Sequence, residues 1–468
     1  MPNRRHFLAL GVTTGSMLAA GVMHRAAASP TAEPTTADQP FSVPMPVPVT
    51  KRPTRTVRGT DLYRMAIKPA RVEILPGKTT AVYSYDGQFL GPTIRADLGR
   101  PVKVEFTNQL DHPANVHLHG GHVAADSDGF PMDVIEPGQS RTYNYPNLQR
   151  GATLWYHDHA HHMEAEHVFR GLHGFYLIED GSSARLGLPT GAYDVPIMFR
   201  DVQFDENGEL LYQIERDTIL TNGKVQPFFR VGTRRYRFRL LNASTEKGFD
   251  LVLGDGEPMT QIASDGGLLP APLPRTLVRL SAGERQEVVI DFARYPVGTQ
   301  LVLNDARSGV PVLRFDVVRQ EANRRRMPTT LVPLPPMPRA TRERDVDFSF
   351  DLSGFPVGQV NGKPYDPDRV DFTIKRGSTE IWRIHNSDPD GIDHNFHLHM
   401  THFRVLDRDG APPLPEDAGL KDTIYVPAGA RNIRVQAHFP RYTGKYVFHC
   451  HFLEHSSIGM MATMEIVP

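Results

Sequence analysis

The stretch Thr379-Glu380-Ile381-Trp382-Arg383-Ile384 alternates polar and apolar residues and is soon followed by Asn386. A period of two is typical of a β-strand with one buried face. The same form occurs twice earlier in the chain, at residues 101–106 before Asn108 and at residues 236–240 before Asn242. The sequence therefore predicts one kind of strand in three copies.

Other signals repeat in step with these strands. A turn signal precedes each copy, and a Gly in a second turn follows it: the turns are Asp86-Gly87, Asn222-Gly223 and Asn361-Gly362, and the glycines are Gly138, Gly283 and Gly429. The copies lie roughly 140 residues apart, which is the size of a domain and far longer than a solenoid repeat. Short strands with regular turns indicate an all-β chain of three consecutive Greek-key β-sandwiches.

These repeats set the predicted domain boundaries at residues 41–180, 181–325 and 345–468, with a linker at 326–344. The linker prediction rests on a run of arginines from Arg324 and on the prolines that follow it as far as Pro338. A Pro-rich segment favours an extended, stiff chain.

The first 40 residues resemble a targeting segment and a tail. Arg4-Arg5 precede a weakly apolar stretch at residues 7–23, and Ala26-Ala27-Ala28 supply the small residues of a cleavage site. This pattern predicts a twin-arginine signal peptide at residues 1–28 and a flexible tail at residues 29–40. The expected location is secreted, periplasmic or cell-envelope, with no membrane span after signal removal. A disordered basic N-terminus is the alternative.

Composition narrows the possible partners. The formal net charge of −1 leaves no excess of basic residues for a nucleic-acid partner. The single cysteine, Cys450, allows no internal disulfide. A lone thiol in an exported protein is a liability unless something occupies it, so its neighbours are of interest.

Histidines form four His-x-His pairs, two in the first predicted unit and two in the third. The pairs are His117/His119, His157/His159, His397/His399 and His449/His451. On a strand, residues i and i+2 point to the same side, about 6.5–7 Å apart, so each pair can serve one metal or two neighbouring metals. Eight imidazoles suit a metal cluster between units one and three, with unit two as a spacer.

Cys450 lies between two of these histidines, and on a strand its side chain points away from theirs. It can bind a separate metal with His394, His455 and Met460. Two imidazoles, a thiolate and a weak thioether are the ligands of a blue-copper electron-transfer site. A zinc site is the alternative, but it would use only three or four ligands and leave most histidines without a role. We therefore expect electrons to pass through Cys450 to a copper cluster, where dioxygen is the expected acceptor.

At these motifs the chain resembles the three-domain multicopper oxidases, over essentially the whole chain after the predicted signal. The detailed similarity lies with laccases, spore-coat laccases and bilirubin oxidases, through residues 155–160 (WYHDHA) and 403–408 (FRVLDR). The resemblance implies three consecutive cupredoxin-like domains and four copper ions per chain: one of type 1, one of type 2 and two of type 3.

The resemblance also implies a role for each ligand. The type 1 copper takes His394, Cys450 and His455, with Met460 as axial ligand and Met461 as its competitor. The type 2 copper takes His117 and His397. One type 3 copper takes His119, His157 and His451, and the other takes His159, His399 and His449. His455 is implied as the residue that receives electrons from the substrate.

Three further positions matter for this comparison. Asp128 matches an acidic residue that assists proton delivery, the alternative being a simple Asp-Gly turn. Ser456 stands where bacterial relatives often have a Glu that serves in proton relay, and Glu454 is not assumed to replace it. Asn395 stands where a Pro is usual, which alters the loop near the type 1 copper.

The expected activity is that of a laccase-like oxidase. It would remove single electrons from a small phenol or aromatic amine and reduce dioxygen to water. An oxidase of Cu(I) is an alternative, but the 15 methionines are scattered and form no Met-rich insert. A copper-free envelope scaffold is another, although every ligand position is filled. The run His161-His162-Met163, with His167, is either an extra metal site or a solvated loop.

Overall fold

The computed structural model describes residues 39–322 and 326–468. The predicted signal peptide and most of the predicted tail lie outside the described residues, as do Arg324 and Arg325. Within the described part of the chain, no helix is both long and apolar enough to cross a membrane. The three α-helices found there are short: α1 Glu164–Arg170, α2 Ser182–Leu186 and α3 Leu453–Ser457.

The first pair of sheets lies within residues 55–179. Its strands are β1 Arg55–Val57, β2 Thr60–Glu73, β3 Thr79–Tyr85, β4 Gly91–Asp97, β5 Val102–Asn108, β6 His117–His119, β7 Ser140–Tyr145, β8 Ala152–His157 and β9 His173–Glu179. One sheet has the order β1-β2-β5-β7, with β3 paired to β2, and the other has the order β4-β9-β8-β6. Both contribute to one core, which includes Phe106 and Tyr156.

The second pair lies within residues 194–319. Its strands are β10 Asp194–Val202, β11 Thr218–Thr221, β12 Lys224–Val225, β13 Phe228–Gly232, β14 Arg235–Asn242, β15 Phe249–Leu253, β16 Met259–Ser264, β17 Gly267–Arg275, β18 Val278–Leu280, β19 Arg285–Asp291, β20 Gln300–Asp305 and β21 Val310–Arg319. The sheet orders are β12-β11-β10-β14-β19-β16-β17 and β13-β21-β20-β15-β18. Phe238 and Phe315 pack between them.

The third pair lies within residues 342–467. Its strands are β22 Arg342–Asp351, β23 Val357–Val360, β24 Phe372–Lys375, β25 Thr379–Asn386, β26 His394–Leu398, β27 Phe403–Arg408, β28 Thr423–Val426, β29 Ile433–His438, β30 Gly444–His449 and β31 Met461–Val467. The sheet orders are β23-β22-β25-β29-β27 and β24-β31-β30-β26-β28. The described chain is therefore all-β, as predicted.

The repeated Asn makes the same bonds in each copy. The Asn242 side chain accepts a hydrogen bond from Ser244 N and donates to Leu280 O. Asn108 and Asn386 bond their own loops in the same way. The first residue of each predicted turn has a positive φ: 58° at Asp86, 48° at Asn222 and 54° at Asn361, each before a Gly with positive φ. This is the geometry of a type I′ hairpin turn, so the repeat is structural.

Two segments differ from the predicted boundaries. Residues 41–45 pair with the second set of sheets, because Phe41 N donates to Gln226 O at 2.9 Å and Met45 N donates to Phe228 O at 2.7 Å. The Met45 side chain packs in the core of that second set. Strand β22 begins at Arg342, inside the predicted linker. The exact domain limits stay a prediction.

Candidate metal centres

The four His-x-His pairs lie on two strand pairs. His117 of β6 is opposite His157 of β8, and His397 of β26 is opposite His449 of β30. We expected each pair to lie on one strand, but β8, β26 and β30 end before the second histidine of their pairs. The ring centroids lie 4.9 Å apart for His397 and His399, and 5.8 Å apart for His117 and His119, which both lie on β6.

Histidine rings of the first pair of sheets stack on histidine rings of the third pair. The His119 and His397 rings stack at 3.7 Å between centroids, and the His117 and His399 rings stack at 3.8 Å. The eight predicted cluster histidines are all buried: His117, His119, His157, His159, His397, His399, His449 and His451. The structure thus brings together every histidine that the sequence assigned to the cluster.

Hydrogen bonds at the back of these rings fix which nitrogen faces inward. Nδ1 donates to a backbone carbonyl in four of them: His117 to Asp128, His157 to Asp158, His397 to Asp422 and His449 to Cys450. A carbonyl oxygen only accepts, so Nε2 of each neutral ring carries the lone pair. Burial lowers the pKa of these four histidines, to about 4 for His157 and His449, which keeps the rings neutral. Neutral, oriented imidazoles are ready-made metal ligands.

The ring nitrogens that face inward in three of these histidines have no hydrogen-bond partner in the described part of the chain. Nε2 of His117, His157 and His397 has no hydrogen-bond partner among residues 39–322 and 326–468. The Nε2 atoms of His159 and His449 lie 3.1 Å apart, although His449 has no proton to offer there. His159, His399 and His449 form one of the histidine triads close enough to hold an ion. An all-imidazole set of this kind fits copper.

A second set of donors surrounds Cys450. The Nδ1 atoms of His394 and His455 are 3.1 Å apart, and they lie 3.9 Å and 3.6 Å from the Cys450 sulfur. Met460 lies in the same core cluster as Cys450, and its carbonyl accepts a hydrogen bond from Cys450 N. Met461 is opposite His449 in the β30–β31 ladder, so its side chain is on the face away from Cys450. Met460 is therefore better placed than Met461.

Asn395 occupies the position where the family usually has a proline, and it makes contacts that a proline cannot make. Its backbone N–H donates to the Cys450 sulfur at 3.5 Å, a bond that a proline cannot make. Its side-chain oxygen accepts from His451 N, and its side-chain nitrogen donates to Ala282 O at 2.9 Å. One residue therefore links the thiol, a cluster histidine and the second set of sheets.

Asp128 is buried beside the cluster. Its Oδ2 lies 2.7 Å from His399 Nδ1, and its other carboxyl oxygen has no partner in the described residues. Burial raises the pKa of Asp128 well above its usual range. A buried carboxyl group that contacts a cluster ring and has a raised pKa suits proton delivery.

Asp422 was not predicted as a site residue. Its Oδ1 accepts from His119 Nε2 at 3.0 Å, and both of its oxygens accept from Arg285 at 2.6 Å. Burial opposes ionisation of Asp422, but the Arg285 guanidinium outweighs this and holds the pKa well below its usual range. No sequence signal pairs these residues, because they lie far apart in the chain.

The second set of sheets is more than the predicted spacer. It supplies no residue to the described groups able to hold a metal. It does supply Arg285, and a Cβ at Gly283 would lie 3.0 Å from the His451 ring, so only glycine allows this close approach. The second unit therefore forms one wall of the cluster.

The run at His161 does not gather a metal site among the described residues. His162 Nδ1 donates to Ser457 O at 2.7 Å, and His167 Nδ1 pairs with Asp158 at 3.0 Å. The His161 ring packs against Tyr365 at 4.8 Å between centroids. The His161 and His162 rings lie 3.7 Å apart between centroids, but these histidines belong to no described metal-capable group.

Comparison with known proteins agrees with this geometry. Multicopper oxidase family models match residues 66–183 and 329–468. A laccase of Bacillus stratosphericus is 34% identical over 90% of this chain and 98% of its own length. A bilirubin oxidase of Albifimbria verrucaria is 34% identical over 90% of this chain and 80% of its own.

Solved structures give the same answer. The crystal structure of a laccase from Pediococcus acidilactici superposes with a TM-score of 0.86 at 30% identity, covering 91% of this chain and 94% of that one. The fold and both donor sets thus define a copper-binding oxidoreductase that uses dioxygen. The chain belongs to the multicopper oxidase family.

Proposed function

We propose that the protein is a laccase-like oxidase that takes single electrons from phenols or aromatic amines and reduces dioxygen to water. The observation that carries this proposal is the continuity of His449, Cys450 and His451, which joins the thiol site to the buried histidine cluster. Copper ions, when bound, supply one-electron acceptance at the first site and four-electron reduction of dioxygen at the second. The chain's own residues hold these ions, receive the donor and manage protons.

We assign the ligands as the resemblance implies. His394, Cys450, His455 and Met460 hold type 1 copper, and His117 and His397 hold type 2 copper. The type 3 ions take His119, His157 and His451, and His159, His399 and His449. The last triad is among those whose nitrogens converge, which supports its assignment. This set accounts for about four copper ions per chain.

The donor would approach at His455. His455 is 8% exposed to solvent, whereas His394 and Cys450 are fully buried. The rings of Phe350 and Phe452 flank His455 edge-on at 4.9 and 5.4 Å. Aromatic edges and faces favour contact with an aromatic ring, which supports a phenol or aromatic amine as donor.

Protons are needed with the electrons, because reduction of one dioxygen to two waters consumes four of each. Asp128 would give one of them, since its carboxyl group contacts His399 and burial raises its pKa well above the usual range.

The test is the visible spectrum, copper content and oxygen uptake of the copper-loaded protein, with a methoxyphenol and with Cu(I) as donors. We expect an intense absorption near 600 nm that bleaches with the phenol and returns with air, together with about four coppers per chain. Rapid uptake with Cu(I) alone would instead favour a metal oxidase. A colourless protein after full loading would reject the oxidase and favour a copper-free scaffold.

We also propose export by the twin-arginine route, from Arg4-Arg5 and the stretch after them. The test compares the wild-type chain with the Arg4→Lys/Arg5→Lys variant in a bacterial host. Oxidase in the periplasm or medium that is lost in the variant supports export. Equal cytoplasmic retention of both would reject it.

A further inference from the structure

A buried carboxyl group lies against Ser456, and it comes from a distant part of the chain. Glu164, the first residue of α1, is fully buried, and its Oε1 lies 3.0 Å from the Ser456 hydroxyl. Ser456 follows His455 on α3, and α1 begins soon after His159. Helices α1 and α3 pack together through Ala165, Val168 and Leu453. Glu164 therefore lies between two segments that carry proposed copper ligands.

Glu454, the nearer carboxyl group in sequence, is engaged elsewhere. Its Oε1 accepts hydrogen bonds from Arg216 and Thr245, both at 2.6 Å. These bonds direct it toward the second set of sheets. The carboxyl group that meets Ser456 is Glu164 alone among the described residues.

Several buried polar side chains lie near Glu164. Ser457 lies beside Glu164, the charge of Glu164 acts on Tyr365, and Thr463 lies beside Tyr365. Glu164 Oε2, Ser457 Oγ, Tyr365 OH and Thr463 Oγ1 are buried and form no hydrogen bond of ordinary geometry with residues 39–322 or 326–468. Buried polar groups of this kind are normally satisfied by water. We call these four side chains the polar passage.

Two histidines lie next to the polar passage on the side toward solvent. The His161 ring packs on Tyr365, and exposed His162 donates to the Ser457 carbonyl. The other ionisable groups that influence Glu164 or are influenced by it are Asp158, His167 and Tyr212. Burial raises the pKa of Glu164 to about 7, so this carboxyl group can take up and release a proton near neutral pH.

We propose that Glu164 is a second proton-donating carboxyl group for dioxygen reduction, positioned by Ser456 and reprotonated from solvent through the passage that opens at His161 and His162. The inference rests on the proposed oxidase function. In each donation the Glu164 carboxyl O–H bond breaks, its proton forms an O–H bond of the product water, and a carboxylate remains. The carboxylate then takes up one proton from hydronium in the solvent. The electrons come from the donor, and dioxygen is the group reduced.

Ser456 suits both states of Glu164. When Glu164 is ionised, the Ser456 hydroxyl donates to its Oε1. When Glu164 is protonated, the carboxyl group donates to the Ser456 oxygen, and the hydroxyl turns to the Leu453 carbonyl at 3.1 Å. Neither state leaves the hydroxyl without a partner, so the proton can leave and return without rearrangement of the helix.

The test compares the copper-loaded wild type with Glu164→Gln, Ser456→Ala and the exchange variant Glu164→Ser/Ser456→Glu. Glu166→Gln is the matched control, because Glu166 lies on the same helix but pairs with Arg170 near the surface. The readouts are kcat with a methoxyphenol between pH 5 and 9, the solvent isotope effect, copper content, and the infrared band of a protonated carboxyl group.

We expect Glu164→Gln to lower kcat by about a hundredfold, with full copper content and an unchanged 600 nm band. The exchange variant should recover much of the lost kcat. The infrared band that titrates near pH 7 should be present in the wild type, in Ser456→Ala and in the exchange variant, and absent from Glu164→Gln. An active wild type with a Glu164→Gln variant of equal kcat at every pH would overturn the proposal. An inactive wild type would instead overturn the proposed function, and the infrared titration would still decide whether Glu164 holds a proton near pH 7.

Discussion

The two donor sets of this protein are built in opposite ways. The ligands around Cys450 all come from the third pair of sheets and lie among Phe348, Phe350 and Phe452. The histidine cluster takes half its rings from the first pair and is backed by Asp128, Asp422 and Arg285. In the proposed oxidase the first site would handle only electrons, which apolar packing allows. The second would also consume protons, and its charged groups and the docking of separate units suit that task.

The largest effect should come from separating the two sites. Cys450→Ser removes the thiolate while leaving all eight cluster histidines, so oxygen uptake with a methoxyphenol should fall to background. Copper content should drop from about four to about three per chain, with loss of the 600 nm band. Copper analysis and visible spectroscopy check this. Loss of all copper would mean that the two sites are not independent.

Next in size is the charged wall of the cluster. Asp422→Asn removes one of the two buried carboxylates that pair with Arg285, the other being Asp265, and sets an amide N–H donor against a guanidinium N–H donor, which should cost about 3–5 kcal/mol in the free energy of unfolding. It also weakens the support of His119, so cluster copper should bind about 10–100-fold more weakly, while the 600 nm band persists. Denaturant unfolding and copper titration measure the two effects.

The control for this change is Asp407→Asn. Asp407 pairs with Arg434, whose side chain is 41% exposed. A pair near the surface contributes only about 0–1 kcal/mol, so stability and copper binding should stay close to wild type. Equal losses in both variants would show that burial of Asp422 and Arg285 does not set the size of the effect.

A third prediction concerns Glu164, which lies between the two segments that carry proposed copper ligands. Its folded-state pKa of about 7 exceeds the ordinary value of 4.5. The folded chain therefore binds more protons than the unfolded chain between these values, and its stability falls as pH rises through them. Relative to Glu164→Gln, the wild type should lose about 3 kcal/mol between pH 4 and pH 8. Unfolding titrations at both pH values would contradict this if the difference stayed constant.

The smallest effect concerns the bond from Asn395 to the thiol. Asn395→Pro removes the N–H that donates to Cys450 Sγ, whereas Asn395→Ala keeps it and removes only the side chain. A hydrogen bond to the sulfur favours the reduced site, so the proline variant should have a type 1 potential lower by on the order of 50 mV. Redox titration of the 600 nm band measures the shift. An equal shift in both variants would assign the effect to the side chain.

The sequence predicted the parts of the site that are local. His-x-His spacing indicated the eight cluster histidines, and the position of Cys450 between two of them indicated a separate metal site, whereas the role of each ligand was implied by the resemblance. The repeated Asn and turn signals likewise predicted the three-part, all-β chain, since each acts within its own loop.

What the sequence missed depends on docking. Asp422 meets His119 and Arg285 only after three units have assembled, and Glu164 meets Ser456 only when two short helices pack. Spacing along the chain carries no information on such contacts. Asn395 was noticed in the sequence as a departure from the usual proline, but its effect on the thiol required the positions of the atoms.

The pairing of residues 41–45 with residues 226–228 bears on how the chain matures during synthesis. A ribosome must add roughly another 180 residues after Met45 before its partner strand exists. Until then residues 41–45 have no partner strand. Formation of these few bonds therefore reports that the second unit has been made, and residues 41–45 are secured only once the chain is about half complete.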